Sequence, residues 1–462
     1  MTLPLLVTLN INTMKLDNEE GLAHLDVALK AWQRYDDFRR HRLRNINFTY
    51  GRQWLDPVCL NDGSEVTEQQ QSMMTGKTPS TNNLIRQLVK SVVGRFRSQV
   101  ADSAPKDIAD TLSRNLADEV DCRTFEEFLI SGACFQRVEL GCTGVEITNV
   151  SPALMFTSRI KDSRGNDCRL VGQLHDMAMS DILRRLADGS RRRAVDICRA
   201  FAQPSSAGSE FFTSSDTDCY RVIEMWTLES RECYRCHDRK SGSLFFVTPA
   251  EAKRLDDNVE RQWMIRDVWR CRWLTPSGII LSQYDAPMHP FVFKLYPLTD
   301  GEIHSFVEDV IDQQKFVNRM ITIIDHVMDS TAKGVLIYPT ESLPEGFSWQ
   351  DLVTTWRSPN GVIPYDSMRL DSGFKPEQLI VNGANTGAYE LLNLQMSLFE
   401  KISGVSAAMQ GQNLSGVNGS KLYDSQVENS TISLLDLFDS FTSFLAARND
   451  RVRSLSDGGR RS

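Results

Sequence analysis

The chain has 462 residues, of which 41% are hydrophobic, so two or more domains or one elongated protomer are expected. Its formal net charge of −8 argues against a protein that wraps nucleic acid with a basic surface, and no run approaches the roughly 18 apolar residues of a membrane span. The ten cysteines are scattered through a chain that shows no secretory signal, which is typical of reduced thiols in a cytosolic setting.

The first residues of the chain are apolar but lack the basic region and the cleavage site of a signal peptide. Met14 is followed at once by Lys15 and by a strong helix start. Residues 1–13 are therefore expected to be a non-native leader, with translation beginning at Met14.

A long amphipathic helix is predicted from Asp17, where Glu20 completes a capping box. Its apolar residues recur at helical spacing and are Leu22, Leu25, Leu29, Trp32 and Tyr35. A second helix is predicted from about Ser80, with an apolar stripe formed by Ile85, Leu88, Val89, Val92, Val93 and Phe96. Both stripes are expected to pack in a core rather than to contact a cofactor.

The tetrapeptide TGKT, Thr75 to Thr78, resembles the end of a phosphate-binding loop. Such a loop requires a glycine five positions before its second glycine and a strand that leads into it. This chain has Gln71 at that position and no apolar strand before it. A nucleotide-hydrolase site is therefore only weakly supported.

From about Cys134 to Tyr284 the hydrophobic period changes toward two, with helical interruptions, which predicts an α+β domain. In WRCRWL, Trp269 to Leu274, alternate apolar residues share one face, and the TPSG that follows predicts a hairpin turn. The basic segment DILRRLADGSRRRAVDICRAFA is expected to be helical, with a solvated face.

The segment Cys233-Tyr-Arg-Cys236-His237 matches the spacing of c-type haem attachment. A zinc site would need a second close pair of ligands, and Cys271 alone does not provide one. The same segment is predicted to form strand, turn and strand, so a chance match is favoured and no metal or cofactor is expected. No other catalytic constellation is evident, and no catalytic residue is predicted.

From Ile303, apolar residues keep a helical period until Gly334, which predicts a helix of about 30 residues, on the order of 45 Å long. The opposite face is acidic on balance. It carries Glu308, Asp309, Asp312, Asp325 and Asp329 against Lys315 and Arg319.

A strand-rich insert with Trp349 and Trp356 is predicted next, followed by a second helix from about Thr386 to Ile402. A third helix is predicted from about Lys421 to Ala447. The loop between these two helices is rich in Gly, Ser and Asn, and it carries no charge before Lys421.

This order of elements resembles the portal proteins of tailed bacteriophages. The resemblance is carried by GEIHSFVEDVIDQQKFVNRMITIIDHVMDSTAKGVLIYP and EKISGVSAAMQGQNLSGVNGSKLYDSQ. The family element D-x-Q-x-x-x-N-R occurs here as Asp312, Gln314, Asn318 and Arg319. Two further segments, YGRQW and NNLIRQLVKSVVGRFRSQ, are similar to the family's N-terminal part. The resemblance runs from Met14 to about Arg448, and its specificity comes from order and spacing.

The resemblance implies a structural protein without enzymatic activity or cofactor, encoded by a phage or a prophage. Such proteins form a ring, usually a dodecamer, at one capsid vertex, through which double-stranded DNA is packaged and ejected. The implied partners are further copies of the chain, double-stranded DNA, the terminase large subunit, a head–tail adaptor, and the major capsid and scaffolding proteins, with no membrane. The implied localisation is the virion and, during assembly, the host cytoplasm.

The fold class that the resemblance implies is α+β, an elongated protomer with wing, stem, clip and a short or missing crown. The implied segments are a wing (14–300), a first stem helix (301–333), a clip (334–385), a second stem helix (386–405), a tunnel loop (406–420), a long helix toward the crown (421–455) and a disordered tail (456–462).

By the same resemblance, the tunnel loop faces DNA with Gln410, Gln412, Asn413, Ser415, Asn418 and, at its end, Lys421. Each Lys or Arg that neutralises a phosphate adds a salt-sensitive attraction, which would act as friction on moving DNA. An acidic stem face and a neutral loop would instead give weak, replaceable contacts. The other interpretation of 406–420 is a plain hinge between helices. The clip, with Trp349 and Trp356, would dock the terminase and later the tail adaptor.

Two alternatives stay open at this stage. A non-portal structural or adaptor protein of a virion would share the helices but leave the apolar stripe of 303–328 without a neighbour. A nucleotide- or metal-dependent enzyme is less favoured, since it would need TGKT or CYRCH to be a true site.

Overall fold

The computed structural model describes most of the chain. The described residues are 18–100, 105–141, 143–202, 209–239, 242–255, 259–333, 335–357, 361–366, 368, 375–379, 386–405 and 432–460. The chain divides into two compact units. Unit 1 comprises the described residues of Met1–Tyr50, Leu84–Ile311 and Ser403–Ser462, and unit 2 those of Gly51–Asn83 and Asp312–Ile402.

Helices and strands occur in both units, which confirms the α+β class at the level of secondary structure. The helices are α1 (Asn18–Gln33), α2 (Asp36–Thr49), α3 (Glu68–Met74), α4 (Leu84–Val100), α5 (Ala109–Arg114), α6 (Ala117–Ser131), α7 (Met179–Leu186), α8 (Arg191–Phe201), α9 (Pro249–Ala252), α10 (Glu308–Lys333), α11 (Trp349–Arg357), α12 (Thr386–Ser403) and α13 (Leu435–Arg460).

The strands are mostly short, apart from two long ones in unit 1. They are β1 (Pro57–Cys59), β2 (Glu65–Thr67), β3 (Ala133–Gly141), β4 (Gly144–Val150), β5 (Met155–Thr157), β6 (Leu170–Met177), β7 (Tyr220–Asp238), β8 (Leu244–Val247), β9 (Val259–Leu274), β10 (Ile280–Ala286), β11 (Phe291–Leu295), β12 (Pro297–Thr299), β13 (Glu302–Ile303), β14 (Val335–Ile337) and β15 (Glu377–Leu379).

Unit 1 is built on an antiparallel sheet with strand order β10-β9-β7-β6-β5, to which β8 adds beside β7. Successive side chains of a strand point to opposite faces, so both faces of the central strands need cover. Helix α1 covers one face with Leu25, Ala28 and Trp32. The other face packs against α7, α8 and a smaller sheet of order β11-β3-β4.

The predicted hairpin around WRCRWL is confirmed. Strand β9 pairs with β10 through Leu274 and Ile280, and Gly278 has a φ of +84° in the turn between them. Glycine adopts this left-handed conformation without the steric cost that a side chain brings. Cys271 and Trp273 are buried, as the alternation predicts.

Helix α13 packs against α4 and α6 through an aromatic stripe, which consists of the buried residues Phe438, Phe441 and Phe444. Phe441 contacts Phe96 at a ring distance of 5.2 Å and Phe125 at 4.7 Å. The helix begins at Leu435, and the predicted start at about Lys421 lies outside the described residues. The helix continues to Arg460, so the prediction of a disordered tail from 456 is wrong up to that residue.

Four other predictions differ from the structure. The second predicted helix begins at Leu84 rather than at about Ser80. The first predicted long helix is two helices, because a turn at Arg34 and Tyr35 separates α1 from α2. Helix α10 begins at Glu308 rather than Ile303, because Ile303 pairs with Pro297 in a two-stranded sheet. The insert predicted as strand-rich contains α11. Its start is fixed by a capping box in which Ser348 and Asp351 each accept a hydrogen bond from the other's backbone N–H.

Candidate functional site

The two enzyme-like motifs are structural. TGKT follows the C-terminal end of α3, where the Gly76 and Lys77 backbone N–H groups donate to the carbonyls of Met73 and Ser72. A phosphate loop instead presents free N–H groups at the N-terminal end of a helix. The segment therefore ends a helix and has the wrong polarity to hold a nucleotide.

CYRCH lies inside strand β7, which pairs with β8 as the predicted strand, turn and strand. Strand β7 also pairs with β9. Residues three apart in a strand point to opposite faces, so Cys233 and Cys236 cannot chelate one ion together. Cys236 is buried, and burial raises the pKa of its thiol. Among the described residues, no cluster of three or more His, Cys, Asp or Glu is placed to hold a metal ion.

Two residues of the D-x-Q-x-x-x-N-R element, Gln314 and Asn318, form a polar clamp within unit 2. Gln314 and Asn318 lie one turn apart on α10 and are almost fully buried. The Gln314 side-chain amide donates to the Asn82 carbonyl at 2.6 Å and to Asn318 Oδ1 at 3.1 Å. Asn318 Oδ1 also accepts from the Asn82 backbone N–H at 3.0 Å.

The clamp extends from α10 to the segment 51–83. Asn318 Nδ2 donates to Gln53 Oε1 at 2.5 Å, and the Gln53 amide donates to Asn83 Oδ1 at 3.1 Å. One turn further along α10, the Thr322 hydroxyl accepts from the Ser80 backbone N–H at 3.1 Å. Both ends of the segment 51–83 are thus hydrogen-bonded to a single face of α10.

A cluster of ion pairs lies next to the clamp and joins the same two parts of the chain, α10 and the segment 51–83. Lys315 Nζ lies 2.7 Å from Asp56 and 2.6 Å from Glu68, and Arg319 lies 3.0 Å from the same Glu68 carboxylate. The side chains of Lys315 and Glu68 are 16% and 8% exposed. Lys315 and Arg319, the two basic residues of the predicted acidic face, therefore pair with carboxylates of the segment 51–83.

The predicted acidic face of α10 is only partly open to solvent. Asp309, Asp312 and Asp325 are exposed. Glu308 differs, since its side chain is only 12% exposed. Its carboxylate accepts from the Ser305 backbone N–H and from the Asn45 amide, so it fixes the start of the helix. For Asp329 the structure describes the helical backbone and not the side chain.

The two predicted tryptophans of the clip lie on α11 in unit 2. Trp349 is 46% exposed, and its ring meets Tyr338 edge-on at 6.0 Å. The Tyr338 hydroxyl donates to the Pro364 carbonyl at 2.7 Å. Trp356 is half-buried, and Val353 on the same helix is 46% exposed. Trp349 and Val353 lie four residues apart, which places them on one face of the helix.

Some predicted positions lie outside the described residues. They are the leader with Met14, the cap at Asp17, and the tunnel-loop residues Gln410, Gln412, Asn413, Ser415, Asn418 and Lys421.

Sequence reasoning missed the partners of the clamp, namely Gln53, Asn82, Asp56 and Glu68. A signal for the clamp does exist on α10. Gln314, Asn318 and Thr322 recur every four residues within the apolar stripe, and polar groups that are buried on such a stripe require hydrogen-bond partners. The identity of those partners depends on tertiary contacts with residues more than 200 positions away.

Comparison with known proteins gives one family. The family model for the phage P22-like portal protein matches residues 26–445. No curated protein matches the chain. The match spans the clamp, α10, α11 and α12, and no described helix is long and apolar enough to cross a membrane. The chain therefore belongs to the family of phage P22-like portal proteins, which are structural components of the head–tail connector rather than enzymes.

Proposed function

We propose that this portal protein forms a dodecameric channel for double-stranded DNA, with α10 and α12 as its two stem helices and 334–385 as its clip. The family itself implies an oligomeric ring at a capsid vertex that contacts capsid and terminase. In this proposal 14–300 supplies the wing and 406–420 the tunnel loop. The clip docks the terminase large subunit during packaging, in the host cytoplasm, and the head–tail adaptor afterwards. The major capsid and scaffolding proteins surround the ring.

The charge of α10 is the observation that best supports a DNA channel. Lys315 and Arg319 form ion pairs with Asp56 and Glu68, whereas Asp312 and Asp325 stay exposed without such partners in the described structure. A helix of this kind offers DNA few cations, and each phosphate contact to a cation would add a salt-sensitive attraction. The DNA would pass with little friction.

Exposed apolar side chains on α10 and α12 support assembly into a ring. Both helices leave large apolar residues in solvent in a single copy of the chain. These residues are Phe316, Ile323, Met328, Tyr389, Leu394, Met396 and Ile402. A neighbouring copy would cover such a surface, which an isolated soluble protein rarely leaves open.

The composition of 406–420 supports its role as the loop that touches DNA. Its amides and hydroxyls can exchange hydrogen bonds without a net charge, and Gly411, Gly416 and Gly419 permit changes of backbone conformation. Lys421, at its end, is the nearest cation and the residue we assign to a phosphate contact.

Negative-stain electron microscopy with mass photometry tests the assembly on the full chain. The expected result is rings of about a dozen subunits with a central hole. A monodisperse monomer or dimer at every salt concentration would contradict the proposal.

A further inference from the structure

A recess of about 320 Å³ lies in unit 1, between the loop 164–166, strand β11 and helix α13. Its charged side chains are all cationic: Arg164 at the rim, and Lys294 and Arg451 among the lining residues. No carboxylate lines it. The recess belongs neither to the polar clamp nor to the stem helices.

Lys294 is a buried cation in a recess that no carboxylate lines. The residue is only 8% exposed, and it forms no ion pair with a described carboxylate. Two carboxylates outside the lining, Asp162 and Asp436, still attract its charge, but both are hydrogen-bonded to other groups. Asp162 accepts from Arg164 and Asn166, and Asp436 accepts from the Tyr296 hydroxyl. Burial and the neighbouring Arg164 charge lower the pKa of Lys294, although the charges of Asp162 and Asp436 act in the opposite direction.

Arg451 is the second cation without a carboxylate partner. Its guanidinium donates to the His289 carbonyl, and burial lowers its pKa to about 10. Two other arginines of α13 differ in this respect. Arg448 forms a two-pronged ion pair with Asp121, and Arg453 pairs with Asp107 and Asp450. Of these three arginines, only Arg451, which lines the recess, has no carboxylate partner among the described residues.

His289 does not balance this charge. Burial and the Arg451 charge lower its pKa to about 3, so the imidazole is neutral at pH 7. Its Nδ1 atom accepts from the Phe291 backbone N–H at 3.2 Å. The imidazole therefore neither adds to the positive charge of the recess nor offsets it.

A buried charge without a partner is costly, and a recess open to solvent permits an external counter-ion to offset that cost. Two fixed cations suit an anion with several oxygens, because a guanidinium binds two oxygens side by side and an ammonium adds a third contact. We propose that this recess binds a free oxyanion of the phosphate class, held between Lys294 and Arg451.

Thermal unfolding of the assembled protein in phosphate, compared with chloride at equal ionic strength, tests the site. Phosphate should raise the Tm of the wild type by about 2 to 4 °C. Lys294→Met and Arg451→Met should each abolish this shift. In chloride, Lys294→Met should not lose stability, because it removes a buried cation that has no ion-pair partner. Arg451→Met also removes the hydrogen bond to the His289 carbonyl, so its phosphate shift is compared with its own Tm in chloride. Lys294→Arg keeps the charge and should keep a shift.

Lys30→Met is the matched control, since Lys30 is an exposed lysine paired with Asp26 at 2.7 Å. It should respond to phosphate as the wild type does. An equal phosphate shift in Lys294→Met, or no shift in the wild type, would overturn the proposal. A DNA duplex at the same phosphate concentration should give no shift that depends on Lys294. A duplex-specific shift would assign the phosphate to DNA and overturn the free ion as the source.

Discussion

Glu224 is a carboxylate buried in the core of unit 1 and fully enclosed by donors. Arg137 binds both of its oxygens, at 2.6 and 3.2 Å, and the Trp226 indole N–H donates at 2.8 Å. His175 Nε2 lies 2.7 Å from the same carboxylate. Burial alone would raise the pKa of Glu224, but the charges and hydrogen bonds of Arg137 and His175 hold it well below its usual range.

Glu224→Gln should destabilise unit 1 by about 3 to 5 kcal/mol, because the buried Arg137 guanidinium loses its buried counter-charge and keeps only the partly exposed Glu139, at 2.8 Å. The free energy of unfolding should be measured by denaturant titration at pH 7. Glu119→Gln is the control, since Glu119 forms an exposed pair with Arg123, and it should change stability little. Equal losses in the two variants would contradict this account of the core.

The low pKa of Glu224 also predicts an acid limit to stability. A carboxyl group with a lower pKa in the folded state stabilises the fold at pH values above its unfolded pKa, near 4.5. That stabilisation is lost as the pH falls through the folded pKa. Unfolding experiments between pH 6 and pH 3 should therefore show a decline in the wild type that is weaker in Glu224→Gln. Parallel curves for the two proteins would rule out this contribution.

The sequence could not identify Glu224 as a buried anion. In YRVIEMW it interrupts an apolar run, and it shares a strand face with Val222 and Trp226. Only the pairing of β7 with β6, and the small sheet that holds Arg137, make that face an interior one. The apolar run finds the strand, but it does not show which distant cation neutralises a carboxylate placed within it.

At the scale of an element, the clamp attaches the segment Gly51–Asn83 to helix α10. Asn318→Ala should cost about 2 kcal/mol or more, because the backbone N–H of Asn82 and the amides of Gln53 and Gln314 would lose a shared partner. Hydrogen exchange should then become faster in Gly51–Asn83.

Asn393→Ala on α12 provides the matched comparison for this change. Asn393 is exposed, so the same substitution should alter stability by no more than about 0.5 kcal/mol. Unchanged exchange of Gly51–Asn83 in Asn318→Ala would mean that the clamp does not hold that segment.

Elements with a strong helical period could be predicted closely, whereas those set by local capping or pairing could not. The predicted bounds of α12 differ from the observed ones by one residue, because its apolar stripe is regular. Helix α11 was missed because Pro and Gly residues surround its single capping signal, Ser348 with Asp351. The start of α10 was placed too early because β13 continues the apolar pattern.

At the scale of the whole molecule, a closed ring permits a test of whether the acidic residues of α10 line the channel. The test compares DNA of two topologies. Linear DNA can thread a closed ring, whereas covalently closed circular DNA cannot. If Asp312 and Asp325 line the channel, cations at these positions should act only on DNA that threads. Replacing both carboxylates by lysines in every subunit would then create a ring of new phosphate contacts, whose strength falls steeply with salt.

Assembled rings of Asp312→Lys/Asp325→Lys should therefore gain salt-sensitive affinity for linear double-stranded DNA, but not for closed circular DNA of the same sequence. Fluorescence anisotropy for the linear form and gel shift for both forms give the readout. Asp26→Lys/Asp181→Lys adds the same charge at exposed positions of α1 and α7, and it should bind both forms alike. Equal gains for linear and circular DNA in the α10 variant would place these carboxylates outside the channel.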